Sequence, residues 1–109
     1  MLEFGTIVLV PFPFTDYRAI KVRPALVVSK SDRMSRDVVL CFITSRIDQK
    51  NFNTLSLKPN EKNGLKLPSM VRFDKIATVE RSIILGELGR MDPAILRKHQ
   101  QKFFEVFGF

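Results

Sequence analysis

Two pairs of charged residues stand where strand-like sequence places them on a common face. Arg72 and Asp74 lie two positions apart in VRFDK, as do Lys21 and Arg23 in KVRP. Because successive side chains of a strand point to opposite faces, the members of each pair share one face. An arginine at either position can bind a phosphate. Arg72 would also lower the pKa of Asp74, which is a candidate base. The alternatives are a surface ion pair and solubilising charges beside a strand.

The residue types that the sequence lacks narrow the chemistry. A single histidine, His99, excludes a ribonuclease that uses two histidines from one subunit; we expect it to be a packing or surface residue. The sequence contains no Cys–His cluster of the kind that binds zinc. Its carboxylates are scattered, so they do not suggest a two-metal site. We therefore expect no metal and no cofactor. If this protein cuts nucleic acid, it does so with arginine, aspartate and hydroxyl groups.

RNA is the nucleic acid on which such groups suffice. Its 2′-OH can attack the adjacent phosphate, so the protein has only to position the chain, accept a proton and stabilise a dianionic transition state. Arginine suits the last task because its planar, permanently charged guanidinium matches two phosphate oxygens. Its high pKa makes it a poor proton donor, so its expected role is electrostatic.

The charge balance favours a polyanionic partner. The 109 residues include 18 Lys and Arg against 11 Asp and Glu, a formal net charge of +7, and the pI is about 10.0. Neutralising phosphates with such a surface releases counterions. Basicity alone leaves open a protein that binds no nucleic acid, and it does not say whether a bound nucleic acid is cut.

Short strands separated by polar turns must position these residues. Each candidate strand is rich in Val, Ile, Leu, Phe or Thr and is bounded by turn-forming residues. The candidates are residues 6–10, 25–29, 37–44, 54–57, 70–78 and 82–86. Their close spacing predicts a small barrel, and the length leaves room for one domain, residues 1–109.

The C-terminal end follows a different pattern. Asp92 supplies a helix N-cap and Pro93 follows at the first helical position. Leu96, Phe103 and Phe107 then recur at helical spacing. This pattern predicts one amphipathic helix that packs on the barrel and runs almost to the last residue.

The sequence carries no signal for a membrane or for export. No apolar run approaches the roughly 20 residues that cross a bilayer. Glu3 stands where a signal peptide is basic, and Pro11 and Pro13 interrupt the apolar stretch. The single Cys41 lies in VVLCF, where we expect a small buried hydrophobe without a disulfide. The expected compartment is the cytoplasm.

Three segments, taken in order, resemble the MazF/PemK family of toxin–antitoxin toxins. They are VPFPFTD with KVRPALVVS, then DVVLCFITSR, then PSMVRFDKIATVERSII. The resemblance implies a mainly β fold, a small SH3-like barrel of five to seven strands with a C-terminal α-helix, usually a homodimer. It also implies an endoribonuclease, inhibited by a cognate antitoxin, that cleaves single-stranded RNA without metal and leaves 2′,3′-cyclic phosphate and 5′-OH ends.

The resemblance assigns roles to four catalytic candidates. Arg23 matches the signature arginine of the family. Thr44 matches the strand-end threonine that contacts the scissile phosphate in relatives; without the resemblance it is a β-forming residue at a strand end. Arg72 and Asp74 match the Arg-x-Asp pair that is implicated in the cut on the PemK side of the family.

Further residues beside this set are candidate RNA contacts: Asp16, Tyr17, Lys21, Ser45 and Arg46. Tyr17 is the only tyrosine and can stack on a base, although an ordinary loop aromatic is equally consistent. Its loop reads TDYRAIK, whereas relatives often carry Gly-x-Glu there, so the cut sequence cannot be transferred.

Two other functions stay open at this point. One is a barrel of the same fold that binds RNA without cutting it, and the other is a barrel that binds proteins. Cleavage of RNA in excess EDTA separates the toxin from both, and salt-sensitive RNA binding without cleavage selects the first of them.

Overall fold

The structure, a computed structural model, describes residues 2–12, 21–30, 32, 34–49, 51 and 53–108. Within these residues the chain forms six strands, two 3₁₀ turns and two short helices. The strands are β1 (Thr6–Phe12), β2 (Lys21–Val27), β3 (Asp37–Thr44), β4 (Thr54–Leu57), β5 (Ser69–Glu80) and β6 (Gly86–Arg90). The 3₁₀ turns are Ile47–Gln49 and Arg81–Ile83, and the helices are α1 (Pro93–Lys98) and α2 (Gln100–Phe104). None of the described helices has the length and apolar character that crossing a bilayer requires.

All six strands join one antiparallel sheet in the order β4-β5-β3-β2-β1-β6. Alternation of side chains divides the apolar residues between its two faces. One face carries a buried cluster that includes Ile7, Leu26, Cys41, Val71, Phe73 and Leu96. The other carries Val8, Val10, Ala25, Leu40 and Val79. The predicted mainly β fold, a small barrel with helical structure at its C-terminal end, is confirmed.

The loop that follows β4 closes the barrel by contacting β6, the other edge of the sheet. The backbone N–H of Arg90 donates to the Lys62 carbonyl at 2.9 Å. Gly64, with φ +69°, and Gly89 allow this approach, since a Cβ on either one would collide with the facing backbone. The buried Asn63 side chain holds the loop through hydrogen bonds to backbone groups on both sides of it.

Five predicted strands are confirmed and the sixth is wrong. The sequence predicts a strand at residues 82–86, but the structure has a 3₁₀ turn there and begins β6 at Gly86. Ile83 and Ile84 pack on the cluster around Val8. Their apolar character therefore reflects core packing and does not indicate a strand. The strand β6 has a polar sequence and forms because its backbone pairs with β1. Strand propensity does not predict such pairing.

The C-terminal segment is two short helices, so the prediction of one continuous helix is wrong. The predicted cap is confirmed, because the Asp92 carboxylate accepts a backbone N–H two residues on at 2.9 Å. The break is at His99, whose Nδ1 lies 2.9 Å from the Ile95 carbonyl, the acceptor that an unbroken helix would use for its backbone N–H. Phe103 of α2 meets Phe73 of β5 edge-on, with ring centroids 6.1 Å apart.

Candidate active site

One cleft gathers most of the residues that the sequence analysis singles out. It has a volume of about 570 Å³ and lies where the end of β3 and the start of β2 face the middle of β5. Its lining includes the four predicted catalytic residues, Arg23, Thr44, Arg72 and Asp74, and the predicted RNA contacts Ser45 and Arg46. The folded chain therefore brings together six candidates from three separate segments.

An irregularity in the pairing of β3 with β5 forms one wall of this cleft. Between the pairs Cys41–Ile76 and Ile43–Val71, β3 advances two residues while β5 advances five. The extra length of β5 contains both Arg72 and Asp74. A bulge of this kind bends a strand and redirects its side chains. The two charged residues therefore have no partner in the ladder with β3, although Arg72 still pairs with Thr54 of β4, and both line the cleft.

Arg72 and Asp74 form a two-pronged ion pair across the predicted common face. Arg72 Nε donates to Asp74 Oδ1 at 3.1 Å, and Nη2 donates to Oδ2 at 2.7 Å. The side chains are 21% and 33% exposed, respectively, so solvent and ligands reach both groups. The alternating residues Val71 and Phe73 are buried in the core on the opposite face and fix the strand beneath the pair.

This ion pair sets the protonation states of the cleft. The hydrogen bonds from Arg72 are the main cause that lowers the pKa of the Asp74 carboxyl from its usual 3.8. Burial opposes them, and the charge of Arg72 adds a smaller lowering effect. The same hydrogen bonds raise the already high pKa of Arg72. At neutral pH the cleft therefore holds an anion and a cation side by side.

Thr44 ends β3 and lines the cleft, and its hydroxyl is positioned by the turn that follows. Its Oγ1 accepts the backbone N–H of Arg46 at 3.1 Å. A hydroxyl that accepts one hydrogen bond keeps its own O–H to donate, for example to a phosphate oxygen. The turn also places Ser45 and Arg46, both exposed, at the rim of the cleft.

Arg23 reaches the cleft from β2. The last assigned pair between β2 and β3 joins Ala25 to Phe42, and Arg23 and Thr44 each lie two residues beyond it, towards the same end of the sheet. Arg23 is exposed. Lys21, two residues earlier on β2, is exposed as well and pairs with Phe12 of β1, but it is not itself among the residues that line the cleft.

Two predicted RNA contacts, Asp16 and Tyr17, lie outside the described residues. The described lining of the cleft includes two aromatic residues that the sequence does not single out, Phe12 and Phe42. A signal was present, because Phe12 continues the alternation of the buried Val8 and Val10 at the end of β1.

Cys41 is buried in the core and forms no disulfide, as predicted. Burial is the main cause that raises its pKa, and the nearby charge of Asp74 adds to it, for a value of about 12. A thiol with this pKa holds almost no thiolate at neutral pH. In the described part of the chain no three His, Cys, Asp or Glu residues are grouped as metal ligands.

Known proteins share this fold at low sequence identity. A mycobacterial endoribonuclease, solved in complex with its cognate antitoxin, matches with a TM-score of 0.77 and 20% identity over 100% of this chain and 97% of that one. The Mycobacterium tuberculosis toxin MazF-mt6 matches with a TM-score of 0.78 and 17% identity over 95% and 97%. A MazE–MazF structure from Deinococcus radiodurans matches with a TM-score of 0.75 and 21% identity over 99% and 96%.

A search of curated protein sequences gave no match. The sequence profile of one protein family matches residues 3–107, which is nearly the whole chain and includes every residue of the cleft. That family is described as the PemK-like, MazF-like toxins of type II toxin–antitoxin systems. The chain belongs to this family.

Proposed function

We propose that this chain is the toxin of a toxin–antitoxin system and acts as an endoribonuclease on single-stranded RNA. The observation that carries the proposal is the convergence of Arg23, Thr44 and the ion-paired Arg72 and Asp74 in one open cleft. The structural neighbours support it, since one is an endoribonuclease and others are MazF toxins.

The proposed reaction is an internal displacement at phosphorus. The 2′-oxygen of one ribose attacks the adjacent phosphate, its proton passes to the Asp74 carboxylate, and the bond from phosphorus to the 5′-oxygen breaks. The 5′-oxygen takes up a proton from water and leaves as a hydroxyl, and the other product carries a 2′,3′-cyclic phosphate. No metal ion is needed, because the nucleophile belongs to the substrate.

The depressed pKa makes Asp74 a weak base while both of its oxygens accept from Arg72. A bound phosphate competes for the same guanidinium, since arginine binds phosphate oxygens with the same fork of donors. When Arg72 turns one donor towards the phosphate, the carboxylate loses a hydrogen bond and becomes more basic. Substrate binding thereby activates the base.

Arg23 and Thr44 act on the phosphate itself. Charge builds up on the phosphate oxygens in the transition state, and fixed donors aimed at that position lower the barrier. Arg23 supplies a permanent cation and Thr44 a hydroxyl donor. Arg46 and Lys75, both exposed at the cleft, hold neighbouring phosphates by charge alone.

The proposal includes two protein partners. Neighbouring toxins are solved with their antitoxins, and we expect a cognate antitoxin to block RNA access to this cleft. We also expect a homodimer in the cytoplasm, where RNA and antitoxin are both present.

The test is incubation of the purified protein with a single-stranded RNA of mixed sequence in excess EDTA. We expect fragments whose 5′-OH ends accept phosphate from polynucleotide kinase, and no cutting of the all-DNA version of the same sequence, which lacks the 2′-OH. Salt-sensitive binding of the RNA without cutting would instead assign the chain to RNA binding. Binding of neither nucleic acid would favour a protein-binding function.

A further inference from the structure

The cleft has a charged half and an apolar half. Arg23, Arg72 and Asp74 belong to the first, and Phe12 and Phe42 belong to the second, together with two smaller apolar residues of β5. Its volume of about 570 Å³ falls within the range of roughly 300–1,000 Å³ that small-ligand pockets occupy. A phosphate group alone would leave the apolar half unfilled.

The two rings are fixed beside the charged half by the strands that carry them. Phe42 is the one residue of β3 between the pairs Cys41–Ile76 and Ile43–Val71, so it lies opposite the bulge that carries Arg72 and Asp74. Its ring centroid is 4.9 Å from that of Phe12, and the planes are inclined at 53°.

Part of the aromatic surface at this position is exposed. Phe12 is 39% exposed at the end of β1, and Phe42 is half-buried beside it. Exposed aromatic residues beside cations are typical of single-strand nucleic-acid sites, where bases stack on the rings while cations hold the backbone. The residues around these rings include three arginines and one lysine against one aspartate. This positive charge favours a polyanionic ligand over a basic or neutral one.

Taking the proposed function as its basis, we infer that Phe12 and Phe42 form a stacking platform for one nucleobase next to the phosphate that is cut. The platform offers ring faces and no hydrogen-bonding group, so it selects by stacking area. Purines stack more strongly than pyrimidines, and we therefore expect a purine preference at this one position. The platform also positions the ribose, because a stacked base fixes the nucleotide on one side of the scissile bond.

The experiment combines abasic substitutions in the RNA with side-chain substitutions in the protein, so that the effect of each on the other can be measured. The cut site is first mapped with the wild-type protein, and a 2′-O-methyl group at that site then gives an RNA that binds without being cut. Each base within two nucleotides of the site is replaced in turn by an abasic residue. Binding is measured by fluorescence anisotropy for the wild type, Phe42→Leu, Phe42→Tyr and Phe104→Leu.

For the wild type, we expect one abasic position to weaken binding about tenfold, the size of one lost stacking contact. Phe42→Leu keeps an apolar side chain but removes the ring, so the same abasic change should then have less than a twofold effect. Phe42→Tyr keeps the ring and should behave as the wild type. Phe104→Leu, on an exposed ring of α2, is the matched control and should retain the tenfold loss.

An abasic loss of equal size in the wild type and Phe42→Leu would overturn the platform while leaving the nuclease proposal intact. An absence of cleavage by the wild type would overturn the proposed function, and the platform with it. A twofold or smaller loss at every abasic position in the wild type would also refute the platform, because no base would then depend on a ring.

Discussion

At the scale of single residues, the contact between Arg72 and Asp74 orients the two side chains more than it stabilises the fold. Both side chains are partly exposed, and ion pairs of this kind contribute about 0–1 kcal/mol to folding. The two parallel hydrogen bonds, at 3.1 and 2.7 Å, instead hold the guanidinium in one orientation over the cleft. The same contact keeps the carboxylate ionised.

The first prediction concerns the pH dependence of cleavage. Because the pKa of Asp74 is lowered, its carboxylate stays ionised as the pH falls through the neutral range and is protonated only in acid. The cleavage rate should therefore be flat around neutrality with respect to this group and should fall on the acid side. Single-turnover rates from pH 3 to pH 8 test this. A loss of rate centred at neutral pH would show that another group is the base.

The second prediction concerns the carboxylate itself. Asp74→Asn keeps the size of the side chain and removes the base, so cleavage should fall at least a hundredfold while RNA binding is kept. Glu80→Gln, at the far end of β5, makes the same chemical change outside the cleft and should leave the rate unchanged. Wild-type cleavage by Asp74→Asn would make the residue structural.

Sequence periodicity predicts which face Arg72 and Asp74 share, because a strand alternates strictly. It does not predict the bulge that moves them out of the ladder, since bulges depend on how β3 pairs with β5. The position of Phe42 beside the cleft is not predicted either, because it also depends on this bulge. Within the apolar run VVLCF, nothing distinguishes a core phenylalanine from one that borders a cleft.

At the scale of elements, backbone contact closes the barrel where side-chain patterns give little guidance. The strands with apolar alternation were predicted correctly. The polar strand β6 and the loop before β5 were not, because their interaction depends on two glycines and on Asn63. The helix break at His99 was also missed, since it arises from a local hydrogen bond to Ile95 rather than from helix propensity.

The third prediction tests this closure. Gly64→Ala puts a side chain at φ +69° and drives its Cβ into the Leu88 carbonyl, so it should cost about 2 kcal/mol or more and lower the Tm by roughly 10 °C. Gly86→Ala is the matched control, because a Cβ at Gly86 meets no atom within 4 Å. Equal melting temperatures for the two variants would contradict the proposed closure.

At the scale of the whole molecule, the charge of +7 and the family pattern imply different things. The charge favours association with RNA of any sequence, and salt weakens that association. The family pattern is the basis for the proposed homodimer, and exposed apolar side chains such as Ile95 and Phe107 on the C-terminal segment offer surface for an interface.

The fourth prediction is the mass of the particle in solution. Light scattering at micromolar concentration should give about twice the 12.6 kDa mass of the chain. A monomer that still cuts RNA would show that one cleft is sufficient without a partner subunit.

The cleft is proposed to cut RNA by stabilising charge on the phosphate, and substitution of Arg23 isolates that effect. Single-turnover cleavage of a mixed-sequence RNA in EDTA should fall about 10²–10³-fold in Arg23→Ala, the usual effect of losing one preorganised donor. Arg23→Lys should rescue poorly, because a point charge cannot replace a fork of donors. Arg36→Ala removes an equal charge at the far end of β3 and should keep nearly the full rate. Binding by anisotropy should weaken only slightly and similarly in the two alanine variants, which each lose one charge, and should be kept in Arg23→Lys, which loses none. Equal cleavage rates for Arg23→Ala and Arg36→Ala would contradict the account.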